Sequence, residues 1–320
     1  MSLFEIVLPT YNRSEAVKFL LEKYNKFFGF YDFVLSIHDS STNDETEKLV
    51  KSNSFYNKGI QYYRYPSELD VDSKTLMCLK NSTAKYSMLV GDGWIINVDS
   101  LFNSKLLDEN FDILCLYDSN IKIYREYFNK NIKHKKIYDS KTKFYEDNFW
   151  YLIMYGSSIV SRKVLDSIDV LDLCNKYKEL GFIYPSSLVE SNAEILTADS
   201  LNLLTKNPHK GEPGWMLKRD AINTWTRKFI LSFGNMNDSY LPEDTKLKII
   251  KTTGKRTGFL TIKGLLILKS KDNFNFKIYK KYKQYILQTK ACSRLSIFMI
   301  NLFPTFILKI MLWFFKKIFR

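Results

Sequence analysis

The first part of the chain alternates between short apolar runs and segments with a helical period. Four runs are short and rich in β-branched or aromatic residues, as buried strands are, and they lie at 5–9, 32–37, 60–65 and 86–90. In three segments between them the pattern is helical: 14–28, 43–52 and 73–82. Ser14 stands in the N-cap position of the first helix. The alternation predicts an α/β fold with a doubly wound, mostly parallel sheet.

Beyond residue 99 the pattern is less regular. A strand is predicted at 112–116, and a strand and a helix are predicted at 150–160 and 163–168. Four further segments have a helical period, at 171–180, 188–204, 217–233 and 243–252. A loop rich in Pro and Gly is predicted at 207–214.

The charge of the chain is concentrated at its carboxyl end. The 320 residues carry a net charge of +14, but residues 246–320 hold 18 Lys and Arg against the single acid Asp272. The preceding 245 residues are close to neutral. A near-neutral domain followed by a basic region is unlike a uniformly basic nucleic-acid-binding protein, so no nucleic-acid partner is predicted.

The cysteines give no sign of a disulfide framework or of a zinc site. Four are present, none in a CxxC pair, and the chain has three histidines without a Cys/His cluster. The amino-terminal residues lack the basic stretch and apolar core of a signal peptide. These features favour a cytoplasmic protein with reduced thiols.

Three polar motifs follow predicted strands, where ligands bind in open α/β sheets. They are Ile6-Val-Leu-Pro-Thr-Tyr-Asn-Arg13, His38-Asp-Ser-Ser-Thr-Asn-Asp44 and Leu89-Val-Gly-Asp-Gly93. In this order and at these spacings the motifs resemble the GT-A domain of the family 2 glycosyltransferases, over residues 4–100. The resemblance implies a GT-A-like sheet, a nucleotide-sugar donor and inversion at the anomeric carbon of the transferred sugar.

The resemblance assigns donor contacts to side chains at these strand ends. Carboxylates suit the base and the ribose, whereas cations and exposed N–H groups suit the diphosphate. Asp39 is implied to contact the nucleoside, and Lys74 is placed to reach the diphosphate, with a solvated surface lysine as the alternative. The other implied donor-site residues are Pro9, Thr10, Tyr11, Asn12, Asp44 and Gly91. Turn formation is the alternative role of the residues in the first motif, and a helix-start acid that of Asp44.

The third motif departs from the family. Its members usually have two or three consecutive acids here, which hold a divalent cation on the diphosphate, whereas this chain keeps only Asp92. Mg²⁺ often uses one or two carboxylates, so Asp92 is predicted to be a catalytic residue and metal ligand with weak or partial dependence on Mg²⁺ or Mn²⁺. Lys74 or a cation from the basic region are the alternative sources of positive charge.

An inverting transferase needs a general base that deprotonates the acceptor hydroxyl. The resemblance implies an acid from the second half of the domain. Glu190 and Glu194 lie four positions apart, on one face of the helix predicted at 188–204, and are the candidates. The pair Glu146-Asp147 is another candidate, and for each of these acids a solvated helix position is the alternative.

The carboxyl-terminal region is both basic and apolar. Its lysines crowd one segment, at positions 277, 280, 281, 283 and 290, and 295–315 is almost wholly apolar. On a helix of this segment, polar residues such as Arg294 and Lys309 form a stripe opposite a wide aromatic face. This pattern is typical of a helix in the membrane interface. A buried core helix is an alternative, as is a membrane span, in which Lys309 would cost about 2.5–3.5 kcal/mol near the centre.

Together these observations predict a GT-A-like transferase domain at 1–215, a helical extension at 216–272 and a basic, membrane-associating region at 273–320. The expected activity is inverting transfer of a sugar, UDP-linked in the donor, to a hydroxyl of a membrane-associated, lipid-linked glycan, as in surface-polysaccharide assembly. An anionic membrane surface is the expected partner of 277–320, on the inner face of the cell membrane. The alternative is a catalytically degenerate, membrane-bound partner protein with the same fold.

Overall fold

The computed structural model describes residues 1–118, 135–178, 180–209 and 221–310. The chain divides into two compact units. The first unit comprises 1–176 and 183–212, and the second comprises 177–182 and 213–320. The division into three segments drawn from the sequence stays a prediction.

The first unit is built around a mixed sheet. Its described strands are β1 Phe4–Thr10, β2 Phe33–Asp39, β3 Ile60–Arg64, β4 Tyr86–Leu89, β5 Trp94–Ile96, β6 Ile113–Tyr117, β7 Lys136–Tyr138, β8 Ser158–Ser161, β9 Leu196–Ser200 and β10 Leu204–Lys206. Eight of these form one sheet in the order β3-β2-β1-β4-β8-β6-β9-β7, and β5 pairs with β10 in a separate ladder. Neighbours within β3-β2-β1-β4 and the pair β6-β9 are parallel, whereas β8 and β7 run antiparallel to their neighbours.

The central strand β1 shows why the sheet forms as the sequence predicts. Phe4, Ile6, Val7 and Leu8 are almost completely buried, so both faces of this strand are covered. A continuous apolar run is what a parallel strand between two helical layers requires. The predicted α/β class and the four predicted strands in the first part of the chain are confirmed.

Helices connect these strands and cover the sheet. The described α-helices of the first unit are α1 Ser14–Tyr24, α2 Glu45–Lys51, α3 Val71–Lys80, α4 Val98–Asn103, α5 Lys141–Leu152, α6 Arg162–Ser167, α7 Val170–Lys176 and α8 Ile183–Glu190. Short 3₁₀ turns occupy Asn25–Phe27 and Leu106–Asp108. The expected N-cap role of Ser14 is wrong: Arg13 is the capping residue, and the Ser14 hydroxyl instead donates to the Glu45 carboxylate at 2.9 Å.

The helix predicted at 188–204 is wrong. The chain is helical only to Glu190, and β9 then enters the sheet at Leu196 between β6 and β7. Apolar residues of two different elements produced the apparent helical period, and pairing on both edges of β9 decides the conformation. Glu190 and Glu194 therefore do not share a helix face.

A second difference concerns the strand predicted at 150–160. Trp150 and Leu152 belong to the last turn of α5, a helix that begins with the Ser140 hydroxyl accepting from the Lys143 N–H at 3.3 Å. The run of aromatic residues resembles a strand because aromatic side chains favour strands, but here it fills a buried helix face. Only β8, at the end of this segment, is a strand. Of the loop predicted at 207–214, residues 210–214 lie outside the described residues.

The second unit is helical. A continuous helical segment comprises α9 Ala221–Asn223, a π-helical turn at Thr224–Lys228 and α10 Phe229–Asn235. It is followed by α11 Glu243–Arg256, α12 Ile262–Ser270, α13 Phe276–Gln288 and α14 Arg294–Leu302. The ring of Phe182 packs at 5.4 Å from that of Trp225 and at 5.0 Å from that of Phe229, which makes an aromatic core.

The single helix predicted at 295–315 is interrupted. α14 ends at Leu302, and Phe303 is extended, with φ −68° and ψ 125°. A residue before proline is disfavoured in the helical region, which accounts for the break before Pro304. Residues 311–320 lie outside the described residues. Among the described helices, none combines the length and the hydropathy needed to cross a membrane.

Candidate active site

The loops that follow β1 and β2 are tied together at the carboxyl edge of the sheet. Thr10 and Asp39 are in register at the ends of the two strands, and the Ser40 N–H donates to the Thr10 carbonyl at 3.2 Å. Asn12 has a left-handed backbone with φ +51°, which asparagine tolerates better than most residues. Its side-chain oxygen accepts from the Thr42 N–H at 2.9 Å. The first two motifs therefore form one connected structure.

Asp39 is completely buried, and both of its oxygens are hydrogen-bonded. Oδ1 accepts from the N–H of Ser41 at 2.8 Å and from the Ser41 hydroxyl. Oδ2 accepts from the Tyr62 hydroxyl at 2.9 Å and from Nη1 of Arg64 at 2.9 Å. Burial raises the pKa of Tyr62, so this phenol remains protonated. Asp39 thus fixes the Arg64 guanidinium and the Ser41 loop at the strand end.

Lys74 reaches this edge from helix α3. Its ammonium group donates to the Thr10 carbonyl at 2.7 Å and to the Ser40 hydroxyl at 2.7 Å, and the residue is buried. Burial lowers the pKa of Lys74, and the charges of Asp39 and Asp92 act in the opposite direction. The alternative of a solvated surface lysine is therefore excluded. The role of Lys74 toward a diphosphate stays a prediction.

Asp92, in the turn after β4, joins the same cluster. Its Oδ2 accepts from the Thr10 hydroxyl at 2.9 Å, and its Oδ1 accepts from Nη1 of Arg13 at 2.5 Å. The Asp92 side chain is 5% exposed and that of Arg13 is 39% exposed. A carboxylate engaged on both oxygens by a hydroxyl and a guanidinium is a poor ligand for Mg²⁺ or Mn²⁺. Within the described residues no group of three or more His, Cys, Asp or Glu could hold a metal ion.

Asn207 supports the turn that carries Asp92. Its side-chain amide donates to the Asp92 carbonyl at 2.9 Å and to the Ala16 carbonyl at 3.1 Å, and its N–H donates to the Gly93 carbonyl at 2.9 Å. The side chain is completely buried. From the sequence Asn207 is predicted to lie in a loop, because an Asn-Pro pair is a turn signal, and nothing in the pattern indicates this role.

Arg13 and Arg64 are the cations that sequence analysis did not assign. The sequence signal for Arg64 is a basic residue at the end of a predicted strand. In the structure it lies in register with Asp39, at the ends of adjacent parallel strands. Together with Lys74 they place three cations around the carboxylates of Asp39 and Asp92. These five groups together carry an excess of one positive charge, which favours an anionic ligand.

The other predicted donor-site residues lie near this cluster with differing exposure. Pro9 is within β1, opposite His38, and Tyr11 is 49% exposed on the loop that follows. Gly91 lies near the ring of Tyr155, whose hydroxyl is 2.6 Å from that of Thr75. Asp44 is exposed and paired with Lys48 at 2.8 Å, an ion pair that lowers the pKa of Asp44.

The predicted base candidates lie elsewhere. Glu194 precedes β9, and its N–H donates to Asp112, the residue before β6, at 2.7 Å. Since β6 and β9 run parallel to β1, this is the amino edge of the sheet, opposite the cluster around Asp92. Glu190 ends α8 and is paired with Lys176 at 2.6 Å. The structure does not bring either glutamate together with Asp92.

The pair Glu146-Asp147 lies in the middle of α5. Asp147 is paired with Lys136 at 3.1 Å and with Lys143 at 3.0 Å. Glu146 lies 3.9 Å from the ammonium group of Lys143. Glu146 and Asp147 are therefore partly solvated acids on a helix, paired with lysines. The assignment of a catalytic base stays a prediction.

No family model matches this chain, and no curated protein matches it in sequence. Among solved structures it is similar to S. aureus TarS 1–349, at 14% identity, over 91% of this chain and 89% of that chain, with a TM-score of 0.52. The structure of the same TarS segment in complex with UDP-GlcNAc aligns at 15% identity over 91% and 90% of the two chains, with a TM-score of 0.53. Similarity at this identity shows the fold, and the chain has the GT-A glycosyltransferase fold that its three motifs predict.

Proposed function

We propose that this protein is a glycosyltransferase that moves a sugar from a nucleotide-sugar, with a UDP-linked donor as the first candidate, to an acceptor hydroxyl. The observation that carries the proposal is the polar cluster at the carboxyl edge of the sheet. It joins all three sequence motifs, because Thr10 of the first motif accepts from the Ser40 N–H of the second and donates to the Asp92 carboxylate of the third. Open α/β sheets bind their ligands at this edge.

The chemistry of the cluster matches the needs of glycosyl transfer. As the bond between the anomeric carbon and the diphosphate breaks, negative charge develops on the leaving phosphate oxygens. Preorganised cations stabilise such charge, because they need no reorganisation during the reaction. Arg13 and Arg64 are partly exposed and are held in place by Asp92 and Asp39. The family resemblance adds inversion, which requires the acceptor hydroxyl to attack from the face opposite the leaving group.

We also propose that the second unit binds an anionic membrane surface, which would bring the active site to a lipid-linked acceptor. α14 buries Ile297 and Ile300, while its other side exposes apolar residues at 50% to 72%: Leu295, Phe298, Met299 and Leu302. The same unit exposes five lysines on α13 and after it, at positions 277, 280, 281, 283 and 290. An exposed apolar face in a basic unit is typical of interfacial membrane binding.

A non-catalytic partner protein with the same fold is the second candidate. It is favoured by one observation, the engagement of both Asp92 oxygens by Thr10 and Arg13. In that case the cluster would stabilise the fold without serving transfer.

The test is a calorimetric screen of the full-length protein with UDP, GDP and their sugar conjugates, followed by hydrolysis and transfer assays with the donor that binds. We expect a nucleoside diphosphate to bind and its sugar conjugate to be hydrolysed slowly without acceptor. Donor binding with neither hydrolysis nor transfer, in the presence of membrane extract, would favour the non-catalytic partner. Absence of nucleotide binding would contradict the transferase, and it would also favour the non-catalytic partner, whose cluster serves only the fold.

A further inference from the structure

The position that the resemblance gives to a divalent cation is next to Asp92. In this chain the guanidinium group of Arg13 lies there, at 2.5 Å from Oδ1, while the Thr10 hydroxyl engages Oδ2 at 2.9 Å. The residues that replace the family's further acids are Gly93 and Trp94. The carboxylate that this motif could offer to a metal ion is that of Asp92, and the Arg13 guanidinium already neutralises its charge.

We infer that Arg13 supplies the positive charge that this site presents to the donor diphosphate, so that nucleotide binding does not depend on a divalent cation. The inference rests on the proposed function. A cation brought to Asp92 would have to displace the guanidinium and would be repelled by it at close range. A guanidinium, in turn, matches phosphate oxygens with two parallel N–H groups.

Arg13 is better placed for this role than the other cations of the cluster. Lys74 is buried and donates to Thr10 and Ser40, so its charge is directed at the loops. Arg64 donates to Asp39 and to the Ser41 carbonyl, at the β2–β3 side of the edge. Arg13 is the cation bound to the acid of the third motif, and 39% of its side chain is exposed.

The backbone of Arg13 fixes the side chain in this position. Arg13 is the N-cap residue of α1, with φ −138° and ψ 47°, and its carbonyl accepts from the Val17 N–H at 3.1 Å. The backbone of Arg13 is therefore held by the helix, and its guanidinium group is held by Asp92. Little side-chain freedom is left to lose when an anion binds, which favours binding.

The experiment compares UDP binding by calorimetry in EDTA and in Mn²⁺ for the full-length protein, Arg13→Gln, Arg13→Lys and Lys18→Gln. Lys18 is an exposed lysine on α1 and controls for the general loss of positive charge. Circular dichroism and the thermal midpoint check that each variant is folded. Mn²⁺ binding is measured separately, without nucleotide, from the electron paramagnetic resonance signal of the free ion.

We expect the wild-type protein and Lys18→Gln to bind UDP with the same affinity, within about twofold, in EDTA and in Mn²⁺. Arg13→Gln should weaken binding in EDTA by about 10- to 100-fold, the effect of losing a charged hydrogen bond. Mn²⁺ should restore part of that loss and should bind to this variant alone, since its Asp92 is uncovered. Arg13→Lys should keep binding that is independent of the cation.

Two results would overturn the inference. One is wild-type UDP binding that disappears in EDTA and returns with Mn²⁺. The other is a folded Arg13→Gln variant that binds UDP in EDTA as tightly as the wild type. A wild-type protein that binds neither UDP nor GDP in either buffer would contradict the proposed function itself, which separates that failure from a failure of the inference.

Discussion

The ammonium group of Lys74 lies 2.7 Å from the carbonyl oxygen of Thr10, although the two residues belong to a helix and a strand that are 64 positions apart. This bond, with the second one to Ser40, connects α3 to the loops after β1 and β2. The positive charge is buried, and the charges of Asp39 and Asp92 favour it. One side chain therefore holds the frame on which the candidate site is built.

Replacement of Lys74 by Met should loosen both loops. We expect Lys74→Met to lower the free energy of unfolding by about 2 kcal/mol, because it leaves buried polar groups with fewer partners. Nucleotide affinity should fall by about 10-fold, as judged by calorimetry. Lys58→Met, at an exposed lysine, is the control and should change neither quantity. Unchanged stability in Lys74→Met would show that the frame does not depend on this bond.

The two acids of the cluster should respond differently to loss of charge. Asp92→Asn should fold and lose sugar transfer by about 100-fold or more, because Arg13 is released from its position. Asp39→Asn should instead lower the free energy of unfolding by about 3 kcal/mol, because Arg64 loses a fully buried partner. Urea denaturation and a transfer assay separate the two effects, with the exposed Asp166→Asn as control. Equal stability of both variants would contradict this division.

The lowered pKa of His38 predicts that the protein loses stability in acid. Burial, and then the charge of Lys74, lower the pKa of His38 to about 3, while the unfolded chain titrates near 6.5. Because the unfolded state binds the proton first, stability conferred by the neutral imidazole is present above pH 6.5 and falls as the pH drops toward 3.

His38→Phe preserves an aromatic ring that can stack on Tyr63, as the imidazole does at 4.7 Å. The variant should be less stable at pH 7.5, since the hydrogen bonds to Ser36 and Tyr65 are lost. Its loss of stability between pH 7.5 and pH 5 should be smaller than that of the wild type by about 2 kcal/mol. Urea denaturation at the two pH values measures the difference, and equal losses would show that His38 is not the group responsible.

Replacement by Ala should have opposite effects on stability at two helical glycines of the second unit. A Cβ at Gly254 would lie 2.5 Å from the Cβ of Thr289, whereas a Cβ at Gly234 would meet nothing within 4 Å. Gly254→Ala should therefore lower the thermal midpoint by forcing the two segments apart, with a cost of about 1–3 kcal/mol. Gly234→Ala should raise the midpoint slightly, since Ala is favoured over Gly in a helix by about 1 kcal/mol. A stabilised Gly254→Ala would contradict the close packing.

The apolar face of α14 can be tested without shortening the chain. Phe298→Glu and Leu302→Glu should each weaken co-sedimentation with vesicles that contain phosphatidylglycerol by about 10-fold or more, because burial of such a side chain contributes about 1.5–3 kcal/mol. Leu171→Glu, at an exposed leucine of the first unit, should have no effect. Binding should fall only in part at high salt, which screens the lysines but not the apolar contacts. Equal binding of all variants would exclude this face.

The carboxyl-terminal region also shows where sequence patterns mislead. The apolar run at 295–315 predicts one helix with a single role, but Ile297 and Ile300 of α14 are core residues. Lys269, a buried lysine, donates to the carbonyls of Ile300 and Asn301 at 2.9 and 2.6 Å. Periodicity cannot distinguish an apolar side chain that faces the core from one that faces solvent, because both contribute equally to the pattern.

The first half of the fold could be predicted because its signals are local. Each strand of β1–β4 is a contiguous apolar run, and each motif follows directly in sequence. The candidate site was only partly predictable, since Arg13–Asp92 and Asn207–Asp92 join residues 79 and 115 positions apart. Nothing in the sequence near Asp92 indicates which cation binds it. The candidate general bases Glu190 and Glu194 do not lie at the site. The helix on which they were predicted to share a face ends at Glu190, and a strand begins at Leu196.

The antiparallel strand β8 divides the sheet into two parallel parts, β3-β2-β1-β4 and β6-β9. Asp39, Asp92, Arg13 and Arg64 come from the strands of the first part or from the turns that follow them, and Lys74 comes from helix α3, which connects β3 to β4. The strands of that part are built by one contiguous stretch of the chain, from Phe4 to Leu89. This stretch lies within residues 4–100, where the family resemblance is clear, so the resemblance covers the part of the sheet on which the candidate site is built.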